Sequence, residues 1–365
     1  MKAFLLTFAL FMFSSVPAHS ESFATVMGAE WHYEYSLFDA FRANAPHYWN
    51  WLKLQKSPML SVQGVVVGDP HIQNFGDVQL SSGGREFTLI DIDDGGSNAP
   101  FAGDLIRYAA GNQVSPFTIP LSQIFDAYVS GLQGQALPEP EVLQATLAHT
   151  DADYFKRQNK YLNKLTEQNH FSAKAKLTPL NKAPASVQNL FQQSEAIFAA
   201  AVTGYQILDI GYKTKLSGGS QGLPRFWYLI QKNQERYIIE FKLEAQAATS
   251  YYSDQGAPDQ RFPYVAQVYR PSRMVYGPFK IVTTSGGQFL MRARFDDYLD
   301  FDPEDADEGH NIQDGQKMSL YIANCLGRWH GQQSSAAPLL SVLNYNEFKS
   351  FVNSYVNLMT KENNQ

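Results

Sequence analysis

Cys325 is the only cysteine in 365 residues, so no disulfide can form within the chain and its core must hold it together. Basic residues are not in excess: 29 Lys and Arg face 35 Asp and Glu, a formal net charge of −6. That balance excludes the clustered positive surface that nucleic acids require and suits an anionic membrane poorly. After the first twenty residues, no stretch is long and apolar enough to span a bilayer. No repeat and no low-complexity segment interrupts the chain. With 44% hydrophobic and 14% aromatic residues, its length is ample for a compact globular protein.

The N-terminus has the three parts of a secretory signal. Lys2 precedes an apolar run from Ala3 to Phe13, and Ala18 and Ser20 are small residues placed for cleavage after Ser20. The expected mature chain begins at Glu21 and is periplasmic or secreted, with no membrane span once the signal is removed.

Patterning divides the remainder. Leu37, Phe38 and Phe41 fit one helix face within an aromatic-rich stretch. Two short strands are expected at Val62–Val67 and Phe87–Ile92, followed by helices at Leu121–Leu132, from about Pro138, at Tyr154–Leu165 and at Ala185–Val202. Strands then dominate. Phe226–Ile230 and Tyr237–Phe241 read as a hairpin, and Val265–Tyr269, Phe279–Thr284 and Gln288–Arg292 continue the sheet. Helices around Met318–His330 and Glu347–Met359 close the chain. The acid-rich run Asp296–Glu308 lacks the spacing of a helix-loop-helix calcium site and reads as a solvated loop.

The chemistry is concentrated between these elements. Gly68-Asp69-Pro70-His71-Ile72-Gln73-Asn74-Phe75-Gly76 follows the first strand, and Asp91-Ile92-Asp93-Asp94 ends the second. An Asp with an Asn five residues on, then a strand ending in Asp, is how kinase-type phosphotransferases assemble a base and a metal site. Asp69 would orient or deprotonate an attacking hydroxyl. Asn74 and Asp91, with Asp93 beside them, would hold Mg²⁺ or Mn²⁺, a hard cation that takes a few protein oxygens and completes its shell with phosphates. Gly218-Gly219-Ser220-Gln221-Gly222 precedes the Phe226 strand, where Gly218, Gly219, Ser220 and Gly222 would let backbone amides approach ATP or another nucleotide. Lys242, on the next strand, would contact its phosphates. Each motif alone also describes an ordinary turn or a surface lysine; their order is more specific.

These residues carry a resemblance. Gly68–Gly76, Asp91–Asp94 and Ala99-Pro100-Phe101-Ala102-Gly103-Asp104-Leu105-Ile106-Arg107 resemble the bacterial family called domain of unknown function 2252, as do Phe241–Ala245 and Leu326–His330. They are also distantly similar to aminoglycoside and choline kinases. The resemblance implies an α+β, protein-kinase-like two-lobe fold that is circularly permuted, with the catalytic loop first and the glycine loop later. It implies supporting roles for His71, Asp104 and Arg107, with Asp104 bracing the catalytic loop.

The expected organisation is a signal peptide over residues 1–20, a mainly helical lobe carrying the catalytic and metal loops over 21–204, and a β-rich nucleotide-lobe-like region over 205–295. An acidic loop and C-terminal helices over 296–365 return to the helical lobe. The expected function is an exported kinase-like phosphotransferase acting on a small molecule or an envelope substrate. Two alternatives stay open. One is a non-catalytic kinase-like binding protein of the cell envelope. The other is a metal-dependent phosphoester hydrolase, although only His71 lies near the acids while His149, His170, His310 and His330 are scattered. No glutamate partner for Lys242 is evident between Asp254 and Phe279, and the oligomeric state is left open.

Overall fold

The computed structural model describes residues 31–32, 34, 36–214, 222–270, 277–294, 301 and 312–364. The expected signal peptide, the loop residues Gly218, Gly219 and Ser220, and the acidic run apart from Phe301 lie outside the described residues.

Helices α1 (Leu37–Ala43) and α2 (Ala45–Lys53) open the fold, with the Ser36 side chain capping α1. Strand β1 (Gln63–Val66) pairs antiparallel with β4 (Gly96–Pro100), and β2 (Phe75–Gln79) pairs with β3 (Arg85–Leu89). Helix α3 (Phe101–Gln113) is buried on every side from Phe101 to Asn112, the signature of a helix through the middle of a core. Around it pack α4 (Leu121–Leu132), α5 (Glu141–Leu147) and, from the far end of the chain, α9 (Ile312–Gly331) and α10 (Tyr345–Asn363), whereas α6 (Asp151–Leu165) buries Tyr161, Leu162 and Leu165 against Trp227, Leu229 and Ile238. Glycines bring α4 and α9 together. A Cβ on Gly131 would lie 2.1 Å from the Asn324 carbonyl oxygen, and one on Gly327 would lie 2.1 Å from that of Tyr128. No side chain fits there.

After the short hairpin β5 (Thr166–Glu167) and β6 (His170–Phe171), strand β7 (Thr178–Pro179) and helix α7 (Ala185–Ala201) lead into the main sheet. Its further strands are β8 (Gln206–Thr214), β9 (Pro224–Lys232), β10 (Glu235–Leu243), β11 (Phe279–Thr284) and β12 (Gly287–Ala293), in the spatial order β11-β12-β10-β9-β8-β7. The expected β9–β10 hairpin closes through Asn233 and Gln234, both at positive φ, the two-residue geometry whose twist matches its strands. Phe226, Tyr228, Phe241 and Phe289 pack on one face of the sheet beneath Phe191 and Phe198 of α7, a second core distinct from the helical one. The opposite face is charged near its centre. Helices and strands are largely segregated, as in an α+β fold.

One expected strand is a helix. Val265–Tyr269 belongs to α8 (Pro258–Tyr269), which starts with proline in its first turn and buries Arg261, Phe262, Val265 and Tyr269. These positions recur at helical spacing, a period that the β-branched and aromatic residues of the last turn conceal when read alone. Helix α8 also joins the helical core, so Ala248, Phe262, Val265 and Tyr269 pack there although they fall between sheet strands in sequence.

Candidate functional site

The loop after β1 is fixed from behind. The Asp104 carboxylate, buried in the first turn of α3, accepts hydrogen bonds from the backbone amides of Val67 at 2.6 Å and Gly68 at 3.0 Å. His330 of α9 places Nε2 3.2 Å from the same carboxylate, and its Nδ1 lies 2.7 Å from the Tyr128 hydroxyl. Gly68 has φ of +84°, and a Cβ there would lie 1.9 Å from the Asp94 carbonyl oxygen, so both conformation and space demand glycine. Its own carbonyl accepts a 2.6 Å bond from the Trp49 indole.

Asp69 follows, held by Arg107 from one turn further along α3. Arg107 places Nε 2.8 Å and a terminal nitrogen 2.6 Å from the same carboxylate oxygen, while His71 Nε2 lies 3.5 Å from the other. The guanidinium also packs over the rings of Phe41 and Tyr48 and donates to the Phe41 carbonyl. Burial raises the Asp69 carboxyl above its ordinary range, and Arg107 opposes that rise. The loop then folds on itself, because the Asn74 amide nitrogen donates to the Asp69 carbonyl at 2.8 Å. That bond leaves the Asn74 amide oxygen available to a cation.

The acids come from the other side. Strand β3 ends at Leu89, the Ile90 amide still bonds to Asn74 at 2.8 Å, and Asp91–Asp94 form the turn that follows rather than part of the strand. Asp94 accepts a bond from the Ala248 amide at 2.8 Å, and its carbonyl accepts one from the Thr249 hydroxyl. Lys242, buried on β10, contacts Asp93 directly and lies 3.6 Å from Glu244. The glutamate nearest the lysine is therefore Glu244, just past the end of the same strand. Helix α8 instead presents a cation, Arg261, which lies 3.9 Å from Glu244 and 3.3 Å from the Gly95 carbonyl.

Asp69, His71, Asn74, Asp91, Asp93 and Lys242 line one cleft that is open to solvent. Asp104 and Arg107 stand behind it and position it. Gly222 begins the described residues before β9 with φ of +77°, beside Leu223, which lines the cleft. Motif reading missed Arg42, Asp94 and Glu244, which share the lining. Asp94 was legible in the acid run and Glu244 beside Lys242; Arg42 belongs to no local pattern.

A hard divalent cation fits these donors. Asp93 is engaged by Lys242, and beside it stand Asp91 and the Asn74 amide oxygen, with Asp94 adjoining. Burial, then the neighbouring Asp69 and Asp91 carboxylates, push the Asp94 carboxyl up to about 7. Such mutual repulsion is what a cation relieves. Among the described residues no three carboxylate, imidazole or thiol groups form a ready cage. One or two carboxylates completed by phosphate oxygens is the arrangement that suits Mg²⁺.

The Asp94 shift has a pH signature. Folding raises this carboxyl, so the folded protein holds the proton more tightly than the unfolded chain does. Its stabilising contribution is full below about pH 4, declines as pH rises towards about 7, and is absent above that. In metal-free buffer, melting temperature followed from pH 4 to 8 should fall less steeply in Asp94→Asn than in the unchanged protein. An unaltered slope would assign the decline to other groups.

Comparison with known proteins gives one match. A family model described as an uncharacterized protein conserved in bacteria, domain of unknown function 2252, matches residues 34–116. That span covers the Asp69 loop, the Asp91 turn and the Asp104 helix, and it supports relationship to that bacterial family. No curated protein and no solved structure matches the chain.

Proposed function

We propose that the cleft belongs to an exported, Mg²⁺- or Mn²⁺-dependent phosphotransferase of kinase-like, circularly permuted architecture. The observation that carries this reading is the contact of Lys242 with Asp93, which joins the charged sheet face to the Asp69–Asn74 loop in one cleft. Asp69, oriented by Arg107, would direct the acceptor hydroxyl and take its proton. Asn74 and Asp91 would hold the cation, which when bound neutralises phosphate charge. Lys242 would exchange its contact with Asp93 for phosphate oxygens, with the glycine loop at residues 218–222 as further support.

The order of elements favours the same reading. A glycine segment lies between β8 and β9, the lysine sits on the following strand, and a helix precedes the last two strands of the sheet. A kinase nucleotide lobe has its glycine loop, strand lysine and subsequent helix in that succession. Here the helix offers Arg261 rather than a glutamate, and Asp93 and Glu244 take over the pairing of the lysine. A phosphoester hydrolase would account for the acids but not for a buried lysine among them.

Thermal unfolding with Mg²⁺ and ATP, ADP or AMP tests the proposal. A nucleotide present at a hundred times its dissociation constant should add about 2.7 kcal/mol of stability. That gain should disappear in both Asp91→Asn and Lys242→Ala. A metal effect lost in Asp91→Asn but indifferent to nucleotide and to Lys242 would favour the hydrolase instead. No effect of any ligand would favour a non-catalytic binding protein.

A further inference from the structure

Next to the cleft, and sharing Arg42, Asn74 and Asp91 with it, lies a second, roomier cavity that is open to solvent. Its roof is the charged face of the main sheet. Lys213 on β8, Arg225 and Trp227 on β9, Glu240 on β10 and Arg292 on β12 stand in cross-strand register, with Arg294 just beyond. Arg270, at the end of α8, closes one side. None of these residues belongs to a motif read from the sequence.

The charge of this cavity is unbalanced. Among the described lining residues, six cationic side chains face three carboxylates: Asp77, Asp91 and Glu240. Asp77 is already held by Arg85. Glu240 serves three arginines at once, with Arg292 at 2.8 Å, Arg225 at 3.7 Å and Arg294 at 3.9 Å, and it also accepts the Trp227 indole N–H at 2.7 Å. Lys213 and Arg294 sit over the Trp227 ring at 4.0 and 5.2 Å, which holds cations in place without neutralising them.

Arg270 is the decisive group. It is only 6% exposed, yet no carboxylate lies within ion-pair distance and its buried Nε has no hydrogen-bond partner among the described residues. Its guanidinium stacks on Phe279 at 3.7 Å, which uses the face of the group and leaves the in-plane donors to a ligand. Asp91 and Glu86 act on it only from beyond ion-pair distance, and a buried cation so weakly compensated is costly unless a ligand supplies a closer anion. Burial and the neighbouring cations lower Lys213 to about 8 and Arg270 to about 10, as expected where positive charge is crowded.

We propose that this cavity binds a ligand carrying two or more clustered phosphate groups, through Arg270, Arg292, Arg294 and Lys213. Phosphate fits better than a single carboxylate. Each group brings nearly two negative charges and three acceptor oxygens, and arginine forks meet them bidentately. A row of such groups matches both the excess of cations and their spread over three strands and a helix end. Recognition falls on the phosphates themselves, because the cations are what the cavity holds in excess. Binding here needs no metal and is independent of the phosphotransfer reading.

Calorimetric titration of the mature chain with inorganic tripolyphosphate, in EDTA and at matched ionic strength, tests this. Saturable binding is expected, with orthophosphate and citrate much weaker. Arg270→Gln and the more exposed Arg294→Gln should each weaken it about tenfold, the loss of a charge-assisted contact. Lys242→Met, which alters the neighbouring cleft, should retain it. No binding of tripolyphosphate in EDTA would overturn the proposal. So would binding unchanged in both arginine variants, or binding lost in Lys242→Met but kept in Arg270→Gln. Because the test omits metal and nucleotide, its failure is separate from failure of the phosphotransferase reading.

Discussion

Arg107→Ala is expected to destabilise the protein by about 3–5 kcal/mol, the usual cost of stripping one partner from a buried ion pair. Asp69 would then stand buried without its two guanidinium contacts. Its carboxyl, already raised by burial, would rise further and take up a proton nearer neutral pH. Arg107→Lys should recover little, because a point charge cannot reproduce two fixed contacts while stacking on Phe41. Combining Arg107→Met with Asp69→Asn removes both charges and should be milder than the sum of the single changes. Denaturant unfolding of the four proteins measures the coupling. Simple additivity would mean that the pair does not act as a unit.

The second large effect concerns Asp104. An asparagine there keeps one acceptor oxygen and turns an NH₂ group towards a backbone amide that needs an acceptor. With two backbone bonds and the His330 contact at stake, Asp104→Asn should cost roughly 2–4 kcal/mol. The loss is local as well as global. The Val67 and Gly68 amides should exchange with solvent faster relative to the α3 core, and the Asp69 loop should lose its fixed position. Hydrogen exchange resolved at these two amides checks this. Unchanged protection of both would show that the loop is held by other contacts, such as the Trp49 bond to Gly68.

Much of the arrangement was legible because the signals are local. Gly68-Asp69 announced a turn, and the structure gives Gly68 a positive φ with no space for a side chain. The β9–β10 hairpin, the β11–β12 strands and helices α4, α7, α9 and α10 follow from period and turn chemistry. Helix α8 did not, since Val265, Val268 and Tyr269 look like strand residues until Arg261 and Phe262 are placed on the same face.

The limits at the site are of another kind. Asp93 pairing with Lys242, Arg261 approaching Glu244, and Arg270 facing the arginines of β12 all depend on segments distant in the chain. No periodicity carries that information. The charged sheet face was hidden for the same reason: its cations are single residues on separate strands, assembled only by register.

Electron paramagnetic resonance of bound Mn²⁺ tests the central proposal most directly. Mn²⁺ should bind weakly to the protein alone and more tightly with a nucleoside di- or triphosphate, since phosphate oxygens complete the shell that Asn74 and Asp91 begin. Both signals should vanish in Asp91→Asn while the folded state persists. Mn²⁺ binding that is indifferent to Asp91→Asn, or absent with and without nucleotide, would contradict the assignment of the cleft as a metal-dependent phosphotransfer site.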